Sequence, residues 1–110
     1  METLLVLTNL PDSETAHAIA EHLVSARLAA CVNILAPCRS VYRWDGRIEA
    51  ATEVPMLIKT KLECYAALEA AIREKHPYEL PEIIAVRIDR GLPAYLAWLE
   101  AETSPKTQQC

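Results

Sequence analysis

The 110-residue sequence predicts an α+β fold in which one antiparallel sheet carries two main helices on one side. Apolar runs of strand length and segments with apolar residues at helical spacing follow one another in the order β-α-β-β-α-β-α. This order is the split βαβ plan with an added helix. A two-residue turn signal, Asp45-Gly46, separates the second and third predicted strands. The length fits a single domain, predicted to cover residues 1–103 and to be followed by a polar, flexible tail at residues 104–110.

The first predicted strand runs from Thr3 to Thr8, where the chain is apolar and rich in β-formers. A helix is expected after Asp12 or Ser13, because either side chain can accept a hydrogen bond at a helix N-terminus. The apolar positions that repeat at helical spacing after this cap are Ala16, Ile19, Ala20, Leu23 and Val24.

From Ala29 to Thr60 the chain is predicted to form one long β-hairpin. The Asp45-Gly46 pair suits the type I′ turn that closes such hairpins, because these residue types tolerate positive φ. This turn places Trp44 opposite Arg47 across the hairpin. The register of the outer hairpin therefore follows from the turn alone.

The length of the hairpin predicts an oligomer. Pro37 and Pro55 fall at almost the same level on the two arms, and a bend or bulge is expected there because neither can donate to a β-ladder. An arm of about 15 residues would reach roughly 50 Å, which is more than a domain of this size can cover. The outer half would expose an apolar ribbon formed by Val41, Tyr42, Trp44 and Ile48. Ribbons of this kind mark interfaces between subunits.

The second half of the chain predicts three further elements. A helix is expected from about Leu62 to Lys75, followed by a strand from Ile83 to Ile88. Pro93 suits the first turn of a last helix. Between the helix and the strand lies the segment His76-Pro77-Tyr78-Glu79-Leu80-Pro81-Glu82. Its two prolines stiffen a loop that carries an imidazole, a phenol and carboxylates, which indicates a candidate site.

Several motifs occur in a fixed order from about Thr3 to about Glu102. They are Ala29-Ala30-Cys31-Val32-Asn33-Ile34, Ser40-Val41-Tyr42-Arg43-Trp44-Asp45-Gly46, Glu53, Lys59-Thr60, His76-Pro77-Tyr78-Glu79, Pro81-Glu82-Ile83-Ile84 and Tyr95-Leu96-Ala97-Trp98. Together they resemble the CutA family, which is linked to divalent-cation tolerance. The resemblance implies a ferredoxin-like fold and a homotrimer assembled through the extended hairpins.

The resemblance also implies a bound divalent cation, copper above all. The implied ligands are a thiol near the end of the first strand and histidines just before the Pro-Tyr pair. This sequence has Thr8 at the first place and Lys75 before His76 at the second, so only His76 carries over. A single imidazole needs further donors, and the loop offers Glu79 and Glu82. The predicted metal ligands are therefore His76, Glu79 and Glu82.

A cleft between subunits for a small molecule is a second predicted kind of site. Its candidates combine aromatic walls with a few charges, and they are Tyr42, Trp44, Glu53, Lys59, His76, Tyr78 and Glu82. Glu53 and Lys59 share one strand face because their separation is even, so a salt bridge that stabilises the assembly is the other interpretation of that pair. Interface or core packing is the other interpretation of Tyr42 and Trp44.

Three functions remain open on these grounds. The first is a non-catalytic, trimeric divalent-cation binding and tolerance protein. The second is a trimeric signalling module that senses a small metabolite at its subunit clefts. The third, ranked last, is a hydrolase that uses His76 and Glu82 to activate water.

Composition excludes other classes of partner. The net charge of −4 and the lack of a Lys/Arg cluster argue against nucleic acid, and a chain whose only glycines are Gly46 and Gly91 cannot form a Gly-rich phosphate loop. No apolar run is long enough to span a membrane, and the N-terminal residues lack the features of a signal peptide, so we expect a cytoplasmic protein. Cys31, Cys38 and Cys64 are expected to be buried or half-buried, and Cys110 to lie on the tail.

Overall fold

The computed structural model describes residues 2–103, and the predicted element order is present in it. The strands are β1 Thr3–Leu10, β2 Cys31–Ile34, β3 Cys38–Trp44, β4 Arg47–Lys61 and β5 Ile83–Arg87. The helices are α1 Ser13–Ser25, α2 Tyr65–Lys75 and α3 Pro93–Glu102, and a 3₁₀ turn at Leu62–Cys64 leads into α2. The predicted start of the second helix at Leu62 therefore belongs to this tighter turn. The tail predicted at residues 104–110, with Cys110, lies outside the described residues.

All strand pairs are antiparallel, and the order across the sheet is β2-β4-β1-β5, with β3 paired to the outer part of β4. Alternate residues of β1 and β4 point into one core with α1 and α2, as the period-two pattern requires. The fully buried members of this core include Val6, Leu10, Ile58, Leu23, Leu68 and Ile72. The opposite face of the sheet carries Leu5, Leu7, Leu57, Ile84 and Val86, which are half-buried or exposed.

Capping and turn chemistry set the boundaries of α1 as predicted. The Asp12 side chain accepts a hydrogen bond from the Thr15 N–H at 2.7 Å, and this bond lowers the pKa of Asp12. After the helix, Arg27 adopts a left-handed φ of 62°, and its guanidinium donates to the carbonyls of Ala101 and Glu102 at the end of α3. Arg27 therefore joins the ends of two helices.

The hairpin has the predicted register and the predicted irregularity. Trp44 pairs with Arg47, and both turn residues have positive φ, 55° at Asp45 and 79° at Gly46. Ile34 pairs with Met56 and Cys38 with Glu53, so three residues on one arm oppose two on the other. This bulge divides the predicted single arm into β2 and β3.

The cysteines follow the expectation at two of three described positions. Cys64 is buried and Cys31 is half-buried, but Cys38 is exposed. The expectation for Cys38 was wrong because β3 extends beyond the layer that α1 and α2 cover. None of the helices between residues 2 and 103 is long and apolar enough to cross a membrane.

Candidate functional site

The end of α2 positions the predicted loop. The helix stops at Lys75, and His76 is extended, with φ −78° and ψ 131°, because the residue before a proline disfavours helical geometry. The His76 N–H still donates to the Ile72 carbonyl at 2.9 Å. The chain therefore leaves the helix abruptly and turns the His76 side chain inward, where it is 7% exposed.

Both ring nitrogens of His76 are engaged by the backbone. The Nε2 atom donates to the Asn9 carbonyl at 2.7 Å, and the Nδ1 atom accepts from the Tyr78 N–H at 3.2 Å. Because a carbonyl only accepts and a backbone N–H only donates, the imidazole is in its Nε2–H tautomer. The ring has no lone pair left for a metal ion or for a proton from water. These contacts favour a structural role that fixes the loop to β1.

Asn9 is a site residue that was not predicted from the sequence. Its carbonyl accepts from His76, and its side-chain Nδ2 donates to Glu82 Oε1 at 3.0 Å. One residue at the end of β1 therefore holds both ends of the loop 76–82. The signal was present in the strand plan: β1 and β5 pair with Thr8 opposite Ile83, which brings the next residue of β1 beside Glu82.

Tyr78 is linked to the hairpin through Glu53. The Tyr78 hydroxyl donates to the Glu53 carboxylate, which lies on β4 and is 9% exposed as a residue. Burial, followed by this hydrogen bond and the negative charge of Glu53, raises the pKa of Tyr78 to about 12, with smaller contributions from Tyr42 and Asp12. The phenol is therefore neutral and remains a hydrogen-bond donor at physiological pH.

The hairpin and the loop enclose a cleft of about 820 Å³, called here the hairpin cleft. Strands β3 and β4 form one wall, and the loop forms the other. Among the predicted site residues, those that line it are Tyr42, Trp44, Glu53, Tyr78, Glu79 and Glu82. Arg43 also lines the cleft, so three carboxylates face it together with one guanidinium. His76 does not line it and lies behind Tyr78, with 4.7 Å between the ring centroids.

Lys59 is the predicted cleft residue that the structure places elsewhere. It shares a face of β4 with Glu53, as the parity argument predicted, but six residues of strand separate them by roughly 20 Å. The Lys59 ammonium donates to Asn33 Oδ1 and lies 3.9 Å from Cys31 Sγ on β2. The predicted salt bridge between Glu53 and Lys59 is therefore not formed within the chain.

The donors in the hairpin cleft do not match a copper site. Within residues 2–103, no group of three or more His, Cys, Asp or Glu side chains is arranged to hold a metal ion. The Thr8 hydroxyl, at the place of the implied thiol, is buried without a hydrogen-bond partner in this part of the chain. Glu53, Glu79 and Glu82 offer oxygen donors alone, which suit harder cations than copper. The choice of His76, Glu79 and Glu82 as ligands remains a prediction.

Fold and cleft together define a class: an α+β protein with a long hairpin and an acidic, aromatic cleft beside it. Within this class, the chain belongs to the CutA1 divalent ion tolerance protein family, whose sequence profile matches residues 4–102. The divalent-cation tolerance protein CutA of Thermus thermophilus is 41% identical over 99 residues, which cover 90% of this chain and 96% of the relative. Protein CutA of Mus musculus is 43% identical over 93 residues, covering 84% of this chain and 52% of the mouse protein.

Solved structures of family members share the fold. CutA1 from the psychrotrophic bacterium Shewanella sp. SIB1 has a TM-score of 0.92 at 43% identity, covering 94% of this chain and 97% of that one. CutA from Archaeoglobus fulgidus, described as periplasmic, has a TM-score of 0.89 at 39% identity, covering 92% and 98%. These likenesses confirm the predicted family and the mixed α+β architecture.

Proposed function

We propose that this family member acts in divalent-cation tolerance as a non-catalytic, cytoplasmic homotrimer, and that its ligand site is the hairpin cleft. The observation that carries the proposal is the convergence of Tyr42, Trp44, Glu53, Tyr78, Glu79 and Glu82 on one cleft. These residues come from β3, β4 and the loop 76–82, and hydrogen bonds to Asn9 hold the loop to β1. The strand order β2-β4-β1-β5 supports a ferredoxin-like split βαβ plan for the subunit.

Exposed apolar surface supports the trimer. Val41 and Ile48 on the hairpin ribbon are 68% and 66% exposed in the single chain. The uncovered face of the sheet adds Ile84 and Val86, both exposed. Exposed apolar surface of this extent is typical of subunit interfaces.

The contacts of His76 and Glu82 support a role without catalysis. A hydrolase would need a base with a free lone pair, and both nitrogens of His76 are used by the backbone. Glu82 accepts a hydrogen bond from the side chain of Asn9, the same residue whose carbonyl accepts from His76. The two side chains are thus arranged to hold the loop 76–82 in place.

For the cation, we propose that Glu79 and Glu82 provide the ligands, with further donors from a neighbouring subunit. His76 supports this pair by fixing the loop, and copper binding through its imidazole would require both backbone hydrogen bonds to break. Carboxylate oxygens are the usual protein ligands of ions such as Mn²⁺ and Mg²⁺, whereas imidazole and thiolate are the usual ligands of copper.

Calorimetric titration of Mn(II), Zn(II) and Cu(II) into chelator-stripped protein tests this proposal. The double variant Glu79→Gln/Glu82→Gln should lose saturable binding, while His22→Ala, which removes an exposed imidazole of α1, should keep it. The protein used in these titrations lacks Cys110. Saturable binding that survives the double variant, or that is lost in His22→Ala, would contradict the proposal.

The second candidate, a trimeric module that senses a small metabolite, is favoured by the aromatic walls of the cleft. A volume of about 820 Å³ lies in the range of small-molecule pockets and far exceeds the space of one ion. The aromatic rings of Tyr42 and Trp44 do not coordinate a metal ion. Sensing would occur at the same cleft, so a metabolite and a metal ion should compete in the titration.

A further inference from the structure

We infer that the hairpin cleft selects an organic ammonium cation. This is the chemical class that we assign to the small metabolite of the second candidate function. The inference rests on the second candidate function, in which the cleft takes a small molecule. It is carried by two features of the described residues: aromatic rings on both walls, and an excess of carboxylates around them.

The aromatic rings come from both sides of the cleft. Tyr42 and Trp44 lie on β3, and Tyr78 faces them from the loop 76–82. The faces of such rings attract cations through their quadrupole, and tryptophan attracts them most strongly. Rings on two walls suit an alkylated ammonium group, whose methyl or methylene groups also bury apolar area against them.

The charges of the cleft have the matching sign. Glu53, Glu79 and Glu82 line it together with a single guanidinium, from Arg43. Glu53 is nine-tenths buried, and its carboxylate accepts a hydrogen bond from the Tyr78 hydroxyl. Because Tyr78 stays protonated, this hydrogen bond orients the carboxylate without adding a second negative charge. A buried, oriented carboxylate beside aromatic rings is a site built for a positive ligand.

The same features argue against the other ligand classes. A nucleotide or another phosphate would meet an excess of carboxylates, and the lining contains no glycine that could form an anion cradle. A neutral molecule of the same shape would gain contact area but no attraction from Glu53, Glu79 or Glu82.

The test uses Trp44 as an internal reporter. The chain has two tryptophans, and in the Trp98→Phe variant the indole fluorescence comes from Trp44 in the cleft. Choline is the cationic probe, and 3,3-dimethylbutan-1-ol is its neutral carbon isostere. We expect choline to change the emission saturably and to bind at least about tenfold more tightly than the isostere.

Two variants test the role of the carboxylates, and comparing choline binding with metal binding separates this inference from the metal proposal. Glu79→Gln/Glu82→Gln should weaken choline binding by about tenfold, whereas Glu63→Gln, a carboxylate outside the cleft, should leave it unchanged. Equal binding of choline and its isostere, or no response to choline up to about 100 mM, overturns the inference. Metal binding without choline binding would support the metal proposal and overturn the inference. Choline binding without metal binding would support the inference and overturn the metal proposal.

Discussion

At the scale of single residues, His76 connects the end of α2 to β1 and to its own loop. Removing its ring leaves the Asn9 carbonyl and the Tyr78 N–H without their buried partner. We expect His76→Ala to reduce the free energy of unfolding by about 2 kcal/mol or more, as measured by urea titration. The control His22→Ala should change it little, because that ring is exposed. An unchanged unfolding midpoint together with lost metal uptake would instead identify His76 as a ligand.

Tyr78 makes a prediction about alkaline pH. Its pKa in the folded protein is raised to about 12 from an ordinary value of 10.0, so folding favours the protonated phenol. The stability from this group is complete below pH 10 and is lost as the pH rises through about 12. Tyr78→Phe should therefore remove a late step from the tyrosinate absorbance titration and flatten the alkaline loss of stability. The same effects in Tyr95→Phe, an exposed tyrosine of α3, would contradict this assignment.

The residues of the site were only partly predictable from the sequence. Two prolines predicted a stiff loop, because their effect on the backbone is local, but the inward turn of the His76 side chain was not predicted. Asn9 was missed because its partner His76 is 67 residues away along the chain. The separation of Glu53 and Lys59 was missed for a different reason: parity fixes the face of a strand, but it does not fix the position along it.

At the scale of elements, the hairpin depends on its turn. Gly46 has a φ of 79°, and a Cβ there would meet no atom within 4 Å, so a side chain at this position costs backbone strain alone. We expect Gly46→Ala to destabilise the protein by about 1 kcal/mol in thermal or urea unfolding. Asp45→Asn is the matched control, since asparagine also tolerates positive φ. Equal loss in both variants would contradict the explanation.

The sequence predicted the strands of the hairpin better than their interruptions. The register from Trp44 back to Cys38 follows from the Asp45-Gly46 turn, which local chemistry determines. The bulge was expected at Pro37 and Pro55, yet Pro55 stays within β4 and its carbonyl accepts from the Leu35 N–H. The break falls on the arm of Pro37 alone, because the other arm is held by β1 as well.

At the scale of the whole molecule, the exposed ribbon predicts self-association. Ile48→Lys places a charge on this ribbon and should shift sedimentation from a trimer toward a monomer. Val24→Lys is the control, because it adds the same charge to an exposed apolar position on α1, in the helical layer. The melting temperature of the wild type should also rise with protein concentration. A wild type that sediments as a monomer at micromolar concentration would overturn the proposed trimer.

The sequence predicted an oligomer from the length of the hairpin, and its resemblance to the family predicted three subunits. Chain length and apolar pattern can reveal surface that needs a partner, as they did for Val41 and Ile48. They cannot fix the rotation between copies, because this depends on complementary shapes across the interface.

Localising a paramagnetic divalent cation by NMR tests the central claim, that the hairpin cleft is the cation site, most directly. Mn(II) prefers oxygen donors and broadens the amide signals of nearby residues. At substoichiometric Mn(II), the claim predicts selective broadening at Glu53, Tyr78, Glu79 and Glu82, and none in Glu79→Gln/Glu82→Gln. Broadening centred on Cys31 and Lys59 on the far part of the sheet, or on His22 of α1, would contradict it.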